Sequence, residues 1–379
     1  MYIPRLLEPK IRERLQSPKN KVIIVYGARQ TGKTTLIKKV VKDFTDVQWF
    51  DADETEVREL FQLASSTRFR ALFKPNSVVV IDEAQNIPDI GRKLKVIFDH
   101  LPDIRLIVSG SSSLDLANAL SEPLTGRKFE FLLYPIAFEE MVRFHGLFEE
   151  TRLLEHRLIY GYYPEIVTAP ATDAKMYLKQ LTKSYLYKDI LAWNKIRKPD
   201  KLVKLLQALA FQIGHQVSYH ELGEMTGLDN ETVENYIDLL EKTFVIFRLP
   251  PFSRNLRKEI KRSRKIYFYD NGVRNAIINN FNPLALRNDT GMLWENFLIS
   301  ERIKFTAYHD IFANRYFWRT HNGQEIDYIE ERDGQLYAYE FTWNPKKKKK
   351  IPELFLQTYP VAEAKIITPE NFTEFILPD

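Results

Sequence analysis

The octet Gly27-Ala28-Arg29-Gln30-Thr31-Gly32-Lys33-Thr34 has the residue types and spacing of a loop that wraps phosphate oxygens. Gly27 and Gly32 let backbone N–H groups approach a triphosphate with no Cβ in the way. Lys33 is spaced to reach the β- and γ-phosphates as a point charge, and Thr34 offers a hydroxyl to Mg2+. With Ala28, Arg29, Gln30, Thr31 and Thr35 these residues form the expected contact set for ATP or ADP. A second acidic element follows the apolar run Val78-Val79-Val80-Ile81 as Asp82-Glu83. Asp82 is expected to hold Mg2+ through its water shell, and Glu83 to orient and deprotonate an attacking water. Ser109 or Ser111, where another apolar run ends in a serine-rich turn, is a candidate to lie beside the γ-phosphate. Arg127, in LTGRKFEF, is a candidate arginine finger for a neighbouring subunit's site; a surface arginine at a strand entrance is the plainer alternative.

These residues need a scaffold that brings distant loops to one edge. KVIIVY (21–26), VQWFD (47–51), SVVVID (77–82), RLIVSG (105–110) and KFEFLL (128–133) are strand-sized runs, and amphipathic stretches such as TTLIKKVVKDF lie between them. Alternating strands and helices predict an α/β fold with a mainly parallel sheet covered on both faces. The first 148 residues are therefore read as a P-loop core. Residues 149–216 become helical and are read as a lid. Residues 217–279 read as helix, Gly227 turn, helix and strand, with Asp229 or Asn230 as an N-cap and KIYFYD as a returning strand, the order of a winged helix-turn-helix. Residues 280–379 carry a helix and then RYFWRT, EIDYIEE and QLYAYEFTW, joined by Asn322-Gly323 and Asp333-Gly334 hairpin turns.

Composition narrows the chemistry. The absence of cysteine excludes disulfides, zinc–cysteine sites and thiol catalysis. A net charge of +5 permits nucleic-acid contact without demanding it. No apolar run approaches the roughly 20 residues that span a bilayer, and the first residues lack a signal-peptide core, so a cytoplasmic protein with no membrane partner is expected.

GARQTGKTTL, VVVIDEAQNIP, SGSSSL, LTGRKFEFLLYPIAFEEM, YGYYPEIV, IYFYDNGVRNAI, GMLWENFLISERI and FWRTHNGQEIDYI together resemble a large prokaryotic family of AAA-type (P-loop, ASCE) ATPases. The resemblance covers nearly the whole chain. It implies an ATPase domain with Arg127 acting in trans, a ring or other homo-oligomer, a winged helix and a small α/β domain resembling restriction endonucleases. Such nucleases hold Mg2+ between acids on adjacent strands and place a lysine two residues beyond the second acid. Asp327 and Glu340 fit the acids and Glu295 a third, but Thr342 stands where the lysine belongs. A neutral hydroxyl supplies no positive charge; one of Lys346 to Lys350 could reach back, but a turn at Pro345 intervenes, so a degenerate domain is expected. An acid-rich alternating hairpin is the plainer reading of Asp327 and Glu340.

Two segments bear on nucleic acid. Glu231, Glu234, Asp238 and Glu241 oppose insertion of the second helix into a phosphate-lined groove. Arg254, Arg257, Lys258, Lys261, Arg262, Arg264 and Lys265, against the single acid Glu259, suit phosphate contact by a basic wing; a solvated loop or an interface to an acidic neighbour is the alternative. The leading expectation is a Mg2+-dependent, oligomeric ATP hydrolase that acts on or remodels DNA. A nucleotide-controlled switch for a protein partner and an ATP-dependent nuclease are its rivals.

Overall fold

Val78 to Ile81 and Val22 to Val25 are continuous apolar runs, and every one of these side chains is buried. A strand with no polar side must be covered on both faces. The computed structural model describes residues 1–18, 20–63, 65–111, 124–170, 172–185, 198–253, 264–347 and 349–378. The chain divides into two compact units, Met1–Pro135 with Lys242–Phe244, and Ile136–Glu241 with Val245–Asp379.

In the first unit, strands β1 (Val22–Tyr26), β2 (Val47–Asp51), β3 (Val78–Asp82), β4 (Arg105–Gly110) and β5 (Lys128–Leu132) form one sheet in the order β2-β3-β4-β1-β5. All its pairings are parallel. The five runs expected as strands are these five. The fold is α/β, built on a five-stranded parallel sheet. On one side Ile24, Val79, Ile81 and Val108 pack with Phe61, Phe69, Leu94 and Ile97. Each such side chain fully withdrawn from water stabilises the unit by about 1.5–3 kcal/mol. Helix α1 (Leu7–Gln16) buries Leu7, Ile11 and Leu15, and helix α2 (Lys33–Val40) buries Leu36, Ile37 and Val40. Because the strands run one way, the loops after β1, β3 and β4 share the carboxyl edge, where open α/β sheets bind ligands.

In the second unit, the helices Tyr219–Thr226 and Asn230–Lys242 flank Gly227, which has φ +66°. Asp229 Oδ1 accepts from the Thr232 N–H at 2.8 Å, capping the second helix. Strands β6 (Gln216–Val217), β7 (Ile246–Leu249) and β8 (Arg264–Phe268) form a small antiparallel sheet in the order β6-β8-β7. Strands β9 (Asn314–Arg319), β10 (Glu325–Arg332), β11 (Gln335–Phe341) and β12 (Val361–Ile367) make a four-stranded sheet. Its β9/β10 and β10/β11 pairs are antiparallel, and β12 adds parallel to β11.

The segments YGYYPE and YDNGVR prove to be structural partners. Buried Asp270 accepts from the N–H groups of Tyr162 at 2.6 Å and Val273 at 3.0 Å. A Cβ on Gly161 would lie 2.1 Å from Asp270 Oδ1, and one on Gly272 would lie 2.0 Å from the Tyr160 carbonyl oxygen. Glycine is required at both places by close approach alone.

Candidate functional site

The loop between β1 and α2 owes its shape to its glycines. Gly27 has φ +151°, and a Cβ there would stand 2.2 Å from the Leu133 carbonyl oxygen. Gly32, with φ +93°, is the N-cap of α2, so the helix begins with its dipole-positive end on the loop. Lys33 is 5% exposed and donates from Nζ to the carbonyls of Gly27 and Ala28, both at 3.0 Å. Thr31 Oγ1 closes the turn on the Ala28 carbonyl at 2.8 Å.

Facing this loop are the ends of β3 and β4. Thr34 Oγ1 donates to Asp82 Oδ2 at 2.8 Å, and Ser109 Oγ donates to Asp82 Oδ1. The Asp82 carboxylate therefore ties together residues from β3, β4 and α2. Strand β4 lies between β1 and β3 in the sheet, with Ser109 paired in register with Val25. That strand order puts Ser109 between the loop and the acids. Glu83 sits at φ +49°, ψ +41°, a left-handed conformation costing about 1–3 kcal/mol for a residue with a Cβ. Its N–H donates to Asp82 Oδ1 at 3.2 Å and to Ser109 Oγ at 3.4 Å, and its Oε2 accepts from Gln85 Nε2 at 2.5 Å. Gln85 Nε2 also donates to Ser111 Oγ at 3.2 Å.

The structure thus brings Lys33, Thr34, Asp82, Glu83 and Ser109 to one edge. Two further residues were not picked out from the sequence. Gln85 holds the Glu83 carboxylate, and its place in the DEAQ run was the available signal. Arg5, only 5% exposed, donates from Nη1 to the Thr31 carbonyl at 2.8 Å and from Nη2 to the Tyr134 carbonyl at 2.7 Å. No local spacing announces a partner 26 residues away.

Arg127 stands elsewhere. It immediately precedes β5, and its carbonyl accepts from the Val22 N–H at the start of β1. Its Nε donates to Asp99 Oδ1 at 3.0 Å. Five strand residues at about 3.3 Å each separate that edge from the loop by roughly 16 Å, so Arg127 does not reach its own chain's site.

The second unit gathers the three nuclease-like acids, together with two lysines. Glu295, on the helix Thr290–Tyr308, accepts from Lys265 Nζ at 3.2 Å and from Tyr267 OH at 2.6 Å. Asp327 and Glu340 both meet Lys349 Nζ, at 2.9 and 2.7 Å. The Pro345 turn does not keep the lysine run away: Lys349 reaches back, while Thr342 turns its hydroxyl to the Asn344 carbonyl at 3.0 Å. Lys265, expected on a phosphate-contacting wing, requires correction. It is 2% exposed and paired inward with Glu295 and Glu325, so its ammonium is not offered to a nucleic acid. Arg264 is half-buried at the start of β8. Arg254, Arg257, Lys258, Lys261 and Arg262 lie outside the described residues.

A five-stranded parallel sheet with a glycine–lysine loop after β1 and an Asp–Glu pair at the end of β3, two strands away, is an α/β fold of the P-loop type. The chain's likenesses agree. Residues 19–142 match the family model described as an AAA domain. Residues 151–284 and 290–375 match two models described as domains of unknown function (DUF8612 and DUF4143). An uncharacterized protein of Mycobacterium tuberculosis is 29% identical over 327 residues, covering 84% of this chain and 69% of that protein. An uncharacterized protein of Methanocaldococcus jannaschii is 25% identical over 316 residues, covering 72% and 65%. Among solved structures, the Walker-type ATPase PABY2304 of Pyrococcus abyssi aligns with a TM-score of 0.52 at 16% identity, over 73% of this chain and 96% of that one. At that identity the likeness is one of fold. No helix among the described residues is long and apolar enough to cross a membrane.

Proposed function

We propose that the chain is a Mg2+-dependent ATP hydrolase that works as a cytoplasmic homo-oligomer and acts on or remodels DNA. The observation that carries the hydrolase reading is the Thr34–Asp82–Ser109 cluster facing Lys33 and Glu83 at the carboxyl edge of the sheet. Gly27 and Gly32 take the positive-φ backbone that shapes the loop, with a Cβ at Gly27 barred by the Leu133 carbonyl, and the backbone N–H groups of such a loop suit phosphate oxygens. Thr34 and Asp82 offer the hard oxygen donors that suit Mg2+, which when bound supplies charge neutralisation for the phosphates. Lys33 holds the β- and γ-phosphates. Glu83, kept in place by Gln85, orients a water and takes its proton. Ser109 lies where a γ-phosphate contact is required.

The oligomeric part rests on Arg127. Placed far from its own loop, its guanidinium has a phosphate to neutralise only in another copy. The DNA part rests on the basic composition of residues 253–264 beside a helix–turn–helix and the β7–β8 pair, an arrangement that supports a winged-helix reading. A second reading, a nucleotide-controlled switch for a protein partner, draws on the helix Asn230–Lys242. Glu231 and Glu234 are exposed on it, while Asp238 and Glu241 pair with Arg248. An acidic exposed face fits a protein partner better than a phosphate groove.

ATP turnover measured across protein concentration, with and without single- and double-stranded DNA, separates these readings. The first expects turnover per chain to rise with concentration and with DNA, and the DNA effect to fade with salt. Arg127→Ala should abolish the concentration-dependent part alone; unchanged turnover in that variant would remove the trans assignment. Slow turnover indifferent to DNA would favour the switch.

A further inference from the structure

A cavity of about 280 Å3 opens in the second unit among the helix Thr290–Tyr308, strands β10 to β12 and the helix Thr373–Ile376. Phe305, Ile311 and Leu377, each half-buried, give it apolar wall. Arg302, Arg332, Lys365, Glu363 and Glu374 bring charge to it. Most of that charge is already matched. The buried Glu330 carboxylate takes both arms of the Arg302 fork, at 2.8 and 3.0 Å, and the Tyr328 hydroxyl at 2.9 Å. Lys365 lies 3.0 Å from Glu363 and 3.9 Å from Glu374. Lys365 and Glu374 are exposed, so water screens that group.

Arg332 is different. Its guanidinium stacks 3.7 Å from the centroid of the Tyr337 ring, which fixes the plane of the group. Its Nε lies 3.2 Å from Glu330 Oε2, within ion-pair distance, yet is buried and too poorly aligned for a hydrogen bond. Among the described residues nothing accepts from its remaining N–H groups either. A half-buried arginine with its whole set of donors unspent departs from the rule that such groups find partners. Two guanidiniums about the one buried carboxylate of Glu330 also leave a positive charge uncompensated beside the cavity.

We propose that this cavity binds a small organic acid, with its carboxylate on the edge of Arg332 and its apolar body against Phe305, Ile311 and Leu377. The parallel N–H groups of a guanidinium match the two oxygens of a carboxylate, and the Tyr337 stack holds that fork in place before the ligand arrives. The volume, near the lower end for small-molecule sites, suits an acid of the size of benzoate. Glu363 and Glu374 set the charge of the ligand. A doubly charged phosphate would meet both of them as well as Arg332, so the single charge of a carboxylate is the better match. Every residue of the site belongs to the second unit, so the inference stands apart from the nucleotide chemistry of the first.

Calorimetric titration of the full chain with benzoate and with hexanoate is the test, with neutral benzamide and inorganic phosphate run beside them. The parent should bind one carboxylate per chain with a Kd of about 1 mM or tighter. Benzamide and phosphate should bind at least about tenfold more weakly. Arg332→Gln should weaken the carboxylates about tenfold or more. Arg332→Lys keeps the charge beside Glu330 but loses the fork, and should weaken them nearly as much. Leu377→Trp, which fills the cavity without touching the arginine, should also abolish binding. If Arg332→Gln melts early, Arg332→Lys and Leu377→Trp carry the test. A folded parent that takes up neither carboxylate saturably would overturn the proposal, and so would binding indifferent to these variants. Phosphate binding tighter than benzoate, and lost in Arg332→Gln, would overturn the assignment to a carboxylate.

Discussion

Both units hold acids and a lysine close together, and the two places use them in opposite ways. In the first, Lys33 donates to the carbonyls of Gly27 and Ala28, while Asp82 takes hydroxyl donors from Thr34 and Ser109. Neutral dipoles fix a carboxylate without cancelling its charge, so Asp82 keeps its attraction for a cation. In the second, Lys349 and Lys265 are bonded to the carboxylates themselves, and each ammonium is spent on two of them. A motif scan sees acids and lysines in both units. What separates a site poised for a ligand from one already satisfied is whether the groups around each charge are neutral or opposite.

The largest effect should come from breaking the poised side. Lys33→Ala should lower kcat/KM for ATP by about 1000-fold, because it removes a full charge from the phosphates in ground and transition states alike. Glu83→Gln should leave ATP binding in place and cut kcat by about 100-fold. Calorimetry beside steady-state turnover checks both. If Glu83→Gln turned over normally, the water-activating role would pass to another group. No comparable effect on turnover is expected from Lys349→Met, which sharpens the contrast between the two clusters.

A smaller effect is expected at Arg5. Its guanidinium holds the Thr31 carbonyl, and in a planar trans peptide this directs the Gly32 N–H the opposite way. Arg5 is thus a positioning residue for the amides that meet phosphate. Arg5→Ala should raise KM for ATP about tenfold while kcat changes little, the size of one hydrogen bond to a charged group. Arg5→Lys, able to reach a carbonyl but not to fork across two, should fall between. Equal losses in kcat and KM for both variants would mean that Arg5 only stabilises the unit.

Much of the first unit was legible because its signals are local. β-branched runs give strands, and the glycine–lysine octet between a strand and a helix has few other uses. The sheet order was not written locally, and only the pairing of β4 between β1 and β3 sets Ser109 beside Asp82. The second unit hid more. Strand β12 escaped because its alternation is polar, with only Ile367 fully buried. Lys265 looked like one more wing cation, and nothing nearby shows that it turns inward to Glu295 and Glu325. Lys346 to Lys350 are interchangeable as letters, and three-dimensional reach alone singles out Lys349.

The smallest effect is one of pH, and it tests the satisfied side. The Glu340 carboxyl is raised from 4.5 to about 8 by burial and by Asp327. A group that holds its proton more tightly when folded contributes stability that is complete below its ordinary value. That stability is lost as pH climbs through the folded value. The unit should therefore weaken between pH 4.5 and about 8 and change little above that through this group. Glu295, raised to about 7 mainly by burial, adds to the same slope. Glu340→Gln, uncharged throughout, should flatten the decline in melting temperature across that window. It should also leave Lys349 with Asp327 as its remaining carboxylate. Parallel melting curves for the two proteins from pH 5 to about 8 would show that the Glu340 proton is not held by the fold, and that Lys349 compensates the pair fully at every pH.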